Sequence, residues 1–239
     1  MSGKKISPVY GNAAVQRPAS ASGTDKRLPA RRCSIGLSLA FAALMSSVFV
    51  ASSSAQEQAH VAAAVPEEST VVVLGDSNTS GYGVSPQEAY PARLQEKLHG
   101  QGRSVRVINA GWPGDTFGAM LNRIDFSVPQ NARLVIVQGG YNDLANGVPT
   151  DVTIANLESI LSRLQARGVK TVVCGFFDKN WDAIGRKLAA THRATFIPGD
   201  TCYDPKHVGP DGLHMSATGH EVVAKRLSGV VQQNGARHR

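Results

Sequence analysis

Cysteine is scarce in this chain, with three among 239 residues. Cys33 falls in an apolar run near the start, so Cys174, at the end of an expected strand, and Cys202, in a late loop, are left for the folded part. In an exported protein this pair can form a disulfide. Two buried thiols that never meet is the other reading, because spacing does not give a distance. Aromatic residues are also few, at 6%, and no basic stripe interleaves with them, so the footprint of a nucleic-acid binder is missing. There is no internal repeat. A compact metal signature such as H-E-x-x-H is absent. That weighs against a metal-dependent hydrolase, although Asp200, Asp204, His207, Asp211, His214 and His220 supply oxygen and imidazole donors late in the chain.

Charge of one sign is concentrated at one end. The formal net charge is +7, but residues 1–55 hold seven of the 25 Lys+Arg and one of the 18 Asp+Glu, leaving 18 against 17 beyond them. The basic excess therefore belongs to the first segment. Residues 1–30 are rich in Ser, Gly, Ala and Pro without periodicity, the composition of a disordered extension. Residues 31–55 join Arg31 and Arg32 to an uncharged apolar run, Cys33 to Val50, followed by Ala51-Ser52-Ser53-Ser54-Ala55. Basic, apolar and small-residue parts in that order are the pattern of a secretory signal peptide, with cleavage expected after Ala55. A retained leader would instead act as a membrane anchor, since the run approaches spanning length. The expected location is exported, periplasmic or secreted, with no stable membrane partner once the leader is cleaved. Residues 56–69 read as a linker into a domain at 70–234.

Within that domain short apolar, β-branched runs alternate with amphipathic stretches. Strands are expected at Val71–Leu74, Val105–Ile108, Leu134–Val137, Thr171–Phe176 and Ala194–Ile197. Helices are expected at Ala89–Leu98, with Pro91 in the first turn and Gly100 as its stop; after Asp115 or Thr116 as cap; over Ile154, Leu157, Ile160, Leu161 and Leu164, ended by Gly168; around Trp181–Thr191; and after Ser216, with Val222, Val223, Leu227, Val230 and Val231 inward. Residues 198–214 read as one long loop. Alternation at this pitch implies right-handed crossovers and a five-stranded parallel sheet covered on both faces.

Polar residues gather where such strands would end. Ser77 follows the first, Gly111-Trp112-Pro113-Gly114-Asp115 the second and Gly140-Tyr141-Asn142-Asp143 the third, while the last loop carries Asp211-Gly212-Leu213-His214. Acyl transfer needs a hydroxyl, an imidazole to take its proton, a carboxylate to orient the imidazole, and donors for an oxyanion. Ser77, His214 and Asp211 supply the first three. The three-residue spacing lets the carboxylate reach Nδ1 while Nε2 faces Ser77 Oγ. Asn142 and backbone N–H groups beside glycines supply the donors. Asp76 reads as a loop brace, Asp115 as a helix cap, and Trp112 and Tyr82 as groove lining or plain packing.

Gly75-Asp76-Ser77, Asn109 to Thr116, Gly140-Tyr141-Asn142-Asp143 and Asp211-Gly212-Leu213-His214 resemble, in order, the four blocks of the SGNH (GDSL) hydrolases, and the resemblance runs from about residue 70 to 232. It implies a flavodoxin-like three-layer α/β/α sandwich, Ser77 as nucleophile, His214 as base and then acid, Asp211 as orienting carboxylate, and an oxyanion hole from Asn142 and the N–H groups of Gly114 and Ser77. No metal or organic cofactor is implied. The likeness is closest to the compact thioesterase, lysophospholipase and arylesterase branch, which shares Gly-Tyr-Gly after the serine loop and Ala-Tyr-Pro at the next helix. Asn78 and Tyr141 depart from that branch. The expected substrate is a small-molecule ester or thioester. A carbohydrate O-acetyl esterase of the same family and a non-catalytic binding module on the same sheet are the alternatives.

Overall fold

The computed structural model describes residues 68–175 and 179–234. The expected disordered extension, the signal peptide and most of the linker lie outside the described residues, as does Phe176, the expected end of the fourth strand. Five strands, β1 (Ser69–Gly75), β2 (Val105–Gly111), β3 (Ala132–Val137), β4 (Lys170–Cys174) and β5 (Thr195–Ile197), form one sheet in the order β2-β1-β3-β4-β5. Every neighbouring pair is parallel. This is the flavodoxin-like doubly wound order, whose switch point lies between β1 and β3.

The alternation of side chains along each strand divides the core in two. Val72, Leu74, Val135, Val137 and Val173 face α3 (Phe117–Ser127), α5 (Thr150–Ala166) and α6 (Lys179–Thr191), packing on Met120, Ile124, Leu157, Ile160 and Leu164. Val71, Val73, Leu134, Ile136 and Val172 face α2 (Tyr90–Gly100) and α8 (Ala217–Asn234), packing on Leu94, Leu98, Val223, Ala224 and Leu227. The sheet is thus buried on both faces, which is why its strands read as unbroken apolar runs. Three single-turn or near-single-turn helices sit at its carboxyl edge: α1 (Ser77–Ser80), α4 (Tyr141–Ala145) and α7 (Gly199–Cys202).

Several boundaries differ from the pattern reading, each for a local reason. Gly100 is the last residue of α2 rather than its stop, and the left-handed turn falls at Gly102 (φ 73°). β2 continues through Gly111 because its backbone stays in register with β1 as far as Gly75. Thr116, not Asp115, caps α3 through its hydroxyl, leaving the Asp115 carboxylate for an ion pair described below. The stretch 198–214 is not one loop: it contains α7 and begins a bridge between Val208 and Met215. Val222 and Val230 are half-buried, at the margin of the α8 face.

Candidate active site

Ser77 opens α1 where β1 leaves the sheet. The turn is tight enough to demand glycine on both sides of the serine helix. A Cβ on Gly75 would stand 2.1 Å from Thr79 Oγ1, and one on Gly111 would stand 2.2 Å from the backbone nitrogen of Ser80. α1 therefore rests directly on the ends of β1 and β2. Asp76 caps it, its Oδ1 accepting from Asn78 N at 3.0 Å.

The second half of the site is a hairpin-like loop. Val208 bridges Met215, Gly209 N donates to His214 O at 2.7 Å, and Ser216 N donates to His207 O at 2.9 Å. At its tip Asp211 Oδ1 accepts from the N–H groups of Leu213 (3.0 Å) and His214 (2.9 Å). Its Oδ2 stands 2.6 Å from His214 Nδ1, and His214 Nε2 stands 2.9 Å from Ser77 Oγ. The hydrogen bond to His214, then those from the two backbone N–H groups, hold the Asp211 carboxyl far below the usual carboxylate range. Ser77, His214 and Asp211, 137 positions apart at the widest hydrogen bond, thus form one unbroken line. The Tyr82 ring flanks it, its centroid 4.5 Å from that of His214.

Asn142 is the second residue of α4. One hydrogen of its Nδ2 donates to Asp115 O at 2.9 Å, which fixes the amide and leaves the other hydrogen to point elsewhere. Asp115 is itself locked by Arg123, whose Nε donates to Asp115 Oδ2 at 2.6 Å and whose Nη2 donates to the carbonyls of Gly75 and Ala110. One guanidinium so ties together the serine strand, β2 and the turn beneath Asn142. Gly114, with φ 84°, lies in that turn. Asp143 is fully buried, where Oδ2 accepts from Phe117 N at 3.0 Å and pins α4 to the start of α3; burial pushes its carboxyl up.

Some supports had no signature in the sequence. Asn78, a departure from the expected branch pattern, accepts from Met215 N at 3.0 Å and joins the serine helix to the histidine loop. Gln138 donates to Asp76 Oδ2 at 3.2 Å and accepts from Thr79 Oγ1, which meets Tyr90 OH at 2.6 Å. Asp76 is 2% exposed, and burial pushes its carboxyl up to about 6 against the bonds from Asn78 and Gln138. The late acidic and histidine residues do not converge. Asp204 pairs with His207 Nδ1 at 2.5 Å and Arg226 Nη2 at 3.2 Å, while His220 accepts from Tyr90 N through Nδ1 beneath α2, its imidazole pushed down to about 4 by burial. Among the described residues no three such side chains group as a metal site. Cys174 and Cys202 are joined, with sulfurs 2.01 Å apart, linking the end of β4 to α7.

A doubly wound parallel sheet with a hydroxyl, imidazole and carboxylate aligned at its carboxyl edge is the arrangement of hydrolases that use an activated hydroxyl. The sequence model of the GDSL-like Lipase/Acylhydrolase family matches residues 73–222. The chain belongs to that family. It is 32% identical over 168 residues to an arylesterase of Vibrio mimicus, covering 64% of this chain and 84% of that one. It is 26% identical over 176 residues to "Thioesterase 1/protease 1/lysophospholipase L1" of Escherichia coli strain K12, covering 68% and 83%. Among solved structures, AlinE4, an SGNH-hydrolase family esterase, superposes with a TM-score of 0.56 at 31% identity over 72% of this chain and 99% of that one.

Proposed function

We propose that this protein is an exported serine esterase that works through a covalent acyl-enzyme. Ser77 Oγ attacks the ester carbonyl as His214 Nε2 takes its proton, Asp211 holds the imidazole in the tautomer that can accept there, and the same imidazole then protonates the leaving oxygen. Water repeats the sequence on the acyl-serine. The free hydrogen of Asn142 Nδ2 and the N–H groups of Ser77 and Gly114 meet the oxyanion. The observation that carries this reading is the line from Ser77 Oγ through His214 to Asp211, at 2.9 and 2.6 Å. Export is supported by the leader pattern and by the bond between Cys174 and Cys202, since disulfides persist in oxidising compartments. No helix among the described residues is long and apolar enough to cross a membrane.

The test is intact mass after exposure to a fluorophosphonate, with Ser77→Ala in parallel. A single adduct on the wild type that disappears in the variant is the expected result, together with a fall in kcat on the order of 10⁴ to 10⁶. A folded Ser77→Ala protein with wild-type turnover would overturn the assignment, and a folded wild type that takes no adduct and turns over no ester would be the binding module instead.

A further inference from the structure

Two hollows adjoin the Ser77–His214–Asp211 line, and their chemistry differs. One, of about 410 Å³ over the ends of β1, β3 and β4, has mostly apolar walls from Tyr141, Leu144, Cys202, Tyr203 and Leu213, with Asp76, Asn78 and Gln138 also lining it. The other, of about 420 Å³, is bordered by His214 and Asp211 themselves, with Tyr82, Val84, Pro210 and Glu88. If Ser77 is the nucleophile, as proposed above, the leaving oxygen or sulfur must come within reach of the imidazole that protonates it. The leaving group therefore occupies the hollow beside His214, and the acyl chain the apolar one.

The charge in the leaving-group hollow has one sign. Glu88 Oε2 accepts from Ser85 N at 3.0 Å and Ser85 Oγ at 2.7 Å, so the carboxylate is fixed rather than swinging in solvent, and the hydroxyl and then the backbone bond hold it below its ordinary range. Asp211 adds a second carboxylate. No Lys or Arg is among the described residues that line the hollow. None of the cations on the flanking helices lines it: Arg93, whose charge reaches Glu88, pairs with Glu96, Lys97 with Glu221 and Arg226 with Asp204, and Lys225 of α8 is exposed to solvent. Fixed like charges at a binding site repel an anionic ligand and slow its arrival, and do so less as salt is added.

We infer that the hollow beside His214 selects esters and thioesters with an uncharged leaving group and disfavours phosphate-bearing ones, with Glu88 as the specificity-determining residue. Ser85 to Glu88 is also a local turn brace, so the diagnostic variant must keep the acceptor and remove only the charge. Glu88→Gln does this.

The experiment compares butyryl-coenzyme A with S-butyryl-N-acetylcysteamine, the same thioester without phosphate. The wild type should show kcat/KM roughly tenfold or more lower for the coenzyme A ester, with the gap narrowing between low and high salt. Glu88→Gln should raise kcat/KM for the coenzyme A ester by roughly 3- to 5-fold relative to that for the neutral thioester. Equal rates on the two substrates would overturn the inference. So would a gap that ignored both salt and Glu88→Gln, which would be steric. If the folded wild type hydrolysed neither thioester nor p-nitrophenyl butyrate, the esterase reading itself would fall and this inference with it.

Discussion

Asp76→Asn should stabilise the protein at alkaline pH and give little at acid pH. The Asp76 carboxyl is 2% exposed, and burial moves it from an ordinary value of 3.8 to about 6. A raised carboxyl disfavours the folded state where it must ionise. Below 3.8 both folded and unfolded chains hold the proton and the residue is neutral to folding. As pH rises to about 6 the unfolded chain loses its proton first, and stability falls. Above that the deficit is constant, and at 1.36 kcal/mol per pH unit it amounts to about 3 kcal/mol. An amide at this position keeps the bonds, because Gln138 can turn over. Its oxygen would then accept from the introduced amide, and its nitrogen would donate to Thr79 Oγ1, which still reaches Tyr90 OH. Any residual mismatch is the same at both pH values, so the difference between them isolates the charge. Urea unfolding of wild type and variant at pH 4 and pH 8 reads it directly: the variant should gain about 2–3 kcal/mol more at pH 8 than at pH 4. An equal effect at the two pH values would refute the buried-charge argument.

Asp204 has the opposite sign. Burial, which pushes its carboxyl up, is outweighed by His207 and Arg226, so it lies below its ordinary range; Asp204→Asn should cost roughly 2–3 kcal/mol at pH 7 and progressively less as pH falls through the carboxylate range, measured by the same urea titrations. Reduction of the bond between Cys174 and Cys202, which closes a span of 28 residues, should lower stability by roughly 3–4 kcal/mol, read from urea midpoints with and without reductant. Asn142→Ala should lower kcat on the order of 10² to 10³ with KM little changed, in steady-state assays on a p-nitrophenyl ester. Gly111→Ala puts a methyl 2.2 Å from Ser80 N and should lower kcat by roughly 10²-fold while circular dichroism stays native, because α1 must shift off β2.

What the sequence made legible follows from where the information lies. Strands buried on both faces are short apolar runs such as Val71–Leu74 and Leu134–Val137, so the sheet could be read from five such runs and its parallel sense from their alternation with amphipathic stretches. The candidate site was legible for a different reason: Ser77, Gly114 and Asn142 each follow a strand end within a few residues, and Asp211 and His214 share one loop. The braces were not legible, because they join residues distant in sequence and use side chains common in turns. Arg123 reaches Gly75 across 48 positions, and Asn78 reaches Met215 across 137. Spacing alone does not separate two D-x-x-H pairs; the likeness of Asp211-Gly212-Leu213-His214 to the fourth block does. Asp204–His207 and Asp211–His214 have the same spacing and nearly the same geometry, at 2.5 and 2.6 Å. What separates them in space is the third partner, Arg226 for the first and Ser77 for the second, and that is set only by the fold.

That pairing explains how a long excursion can hold the His214 imidazole still. Asp204 binds His207 and Arg226 at the foot of the loop, so the segment leaves α7 already fastened to α8. Tyr203 OH donates to Leu213 O at 2.8 Å, beside the histidine, and Met215 N donates to Asn78 on the serine helix. His214 is therefore tied to Ser77 by two routes, the direct hydrogen bond and the bond between their neighbours in sequence. If the direct bond opens when substrate enters, the second route keeps the two residues in register. In the proposed mechanism, preorganisation would come from the residues next to Ser77 and His214 as well as from the direct bond between them. On this reasoning Asn78 matters as much for the angle between the two halves of the site as Asp211 does for the orientation of the ring.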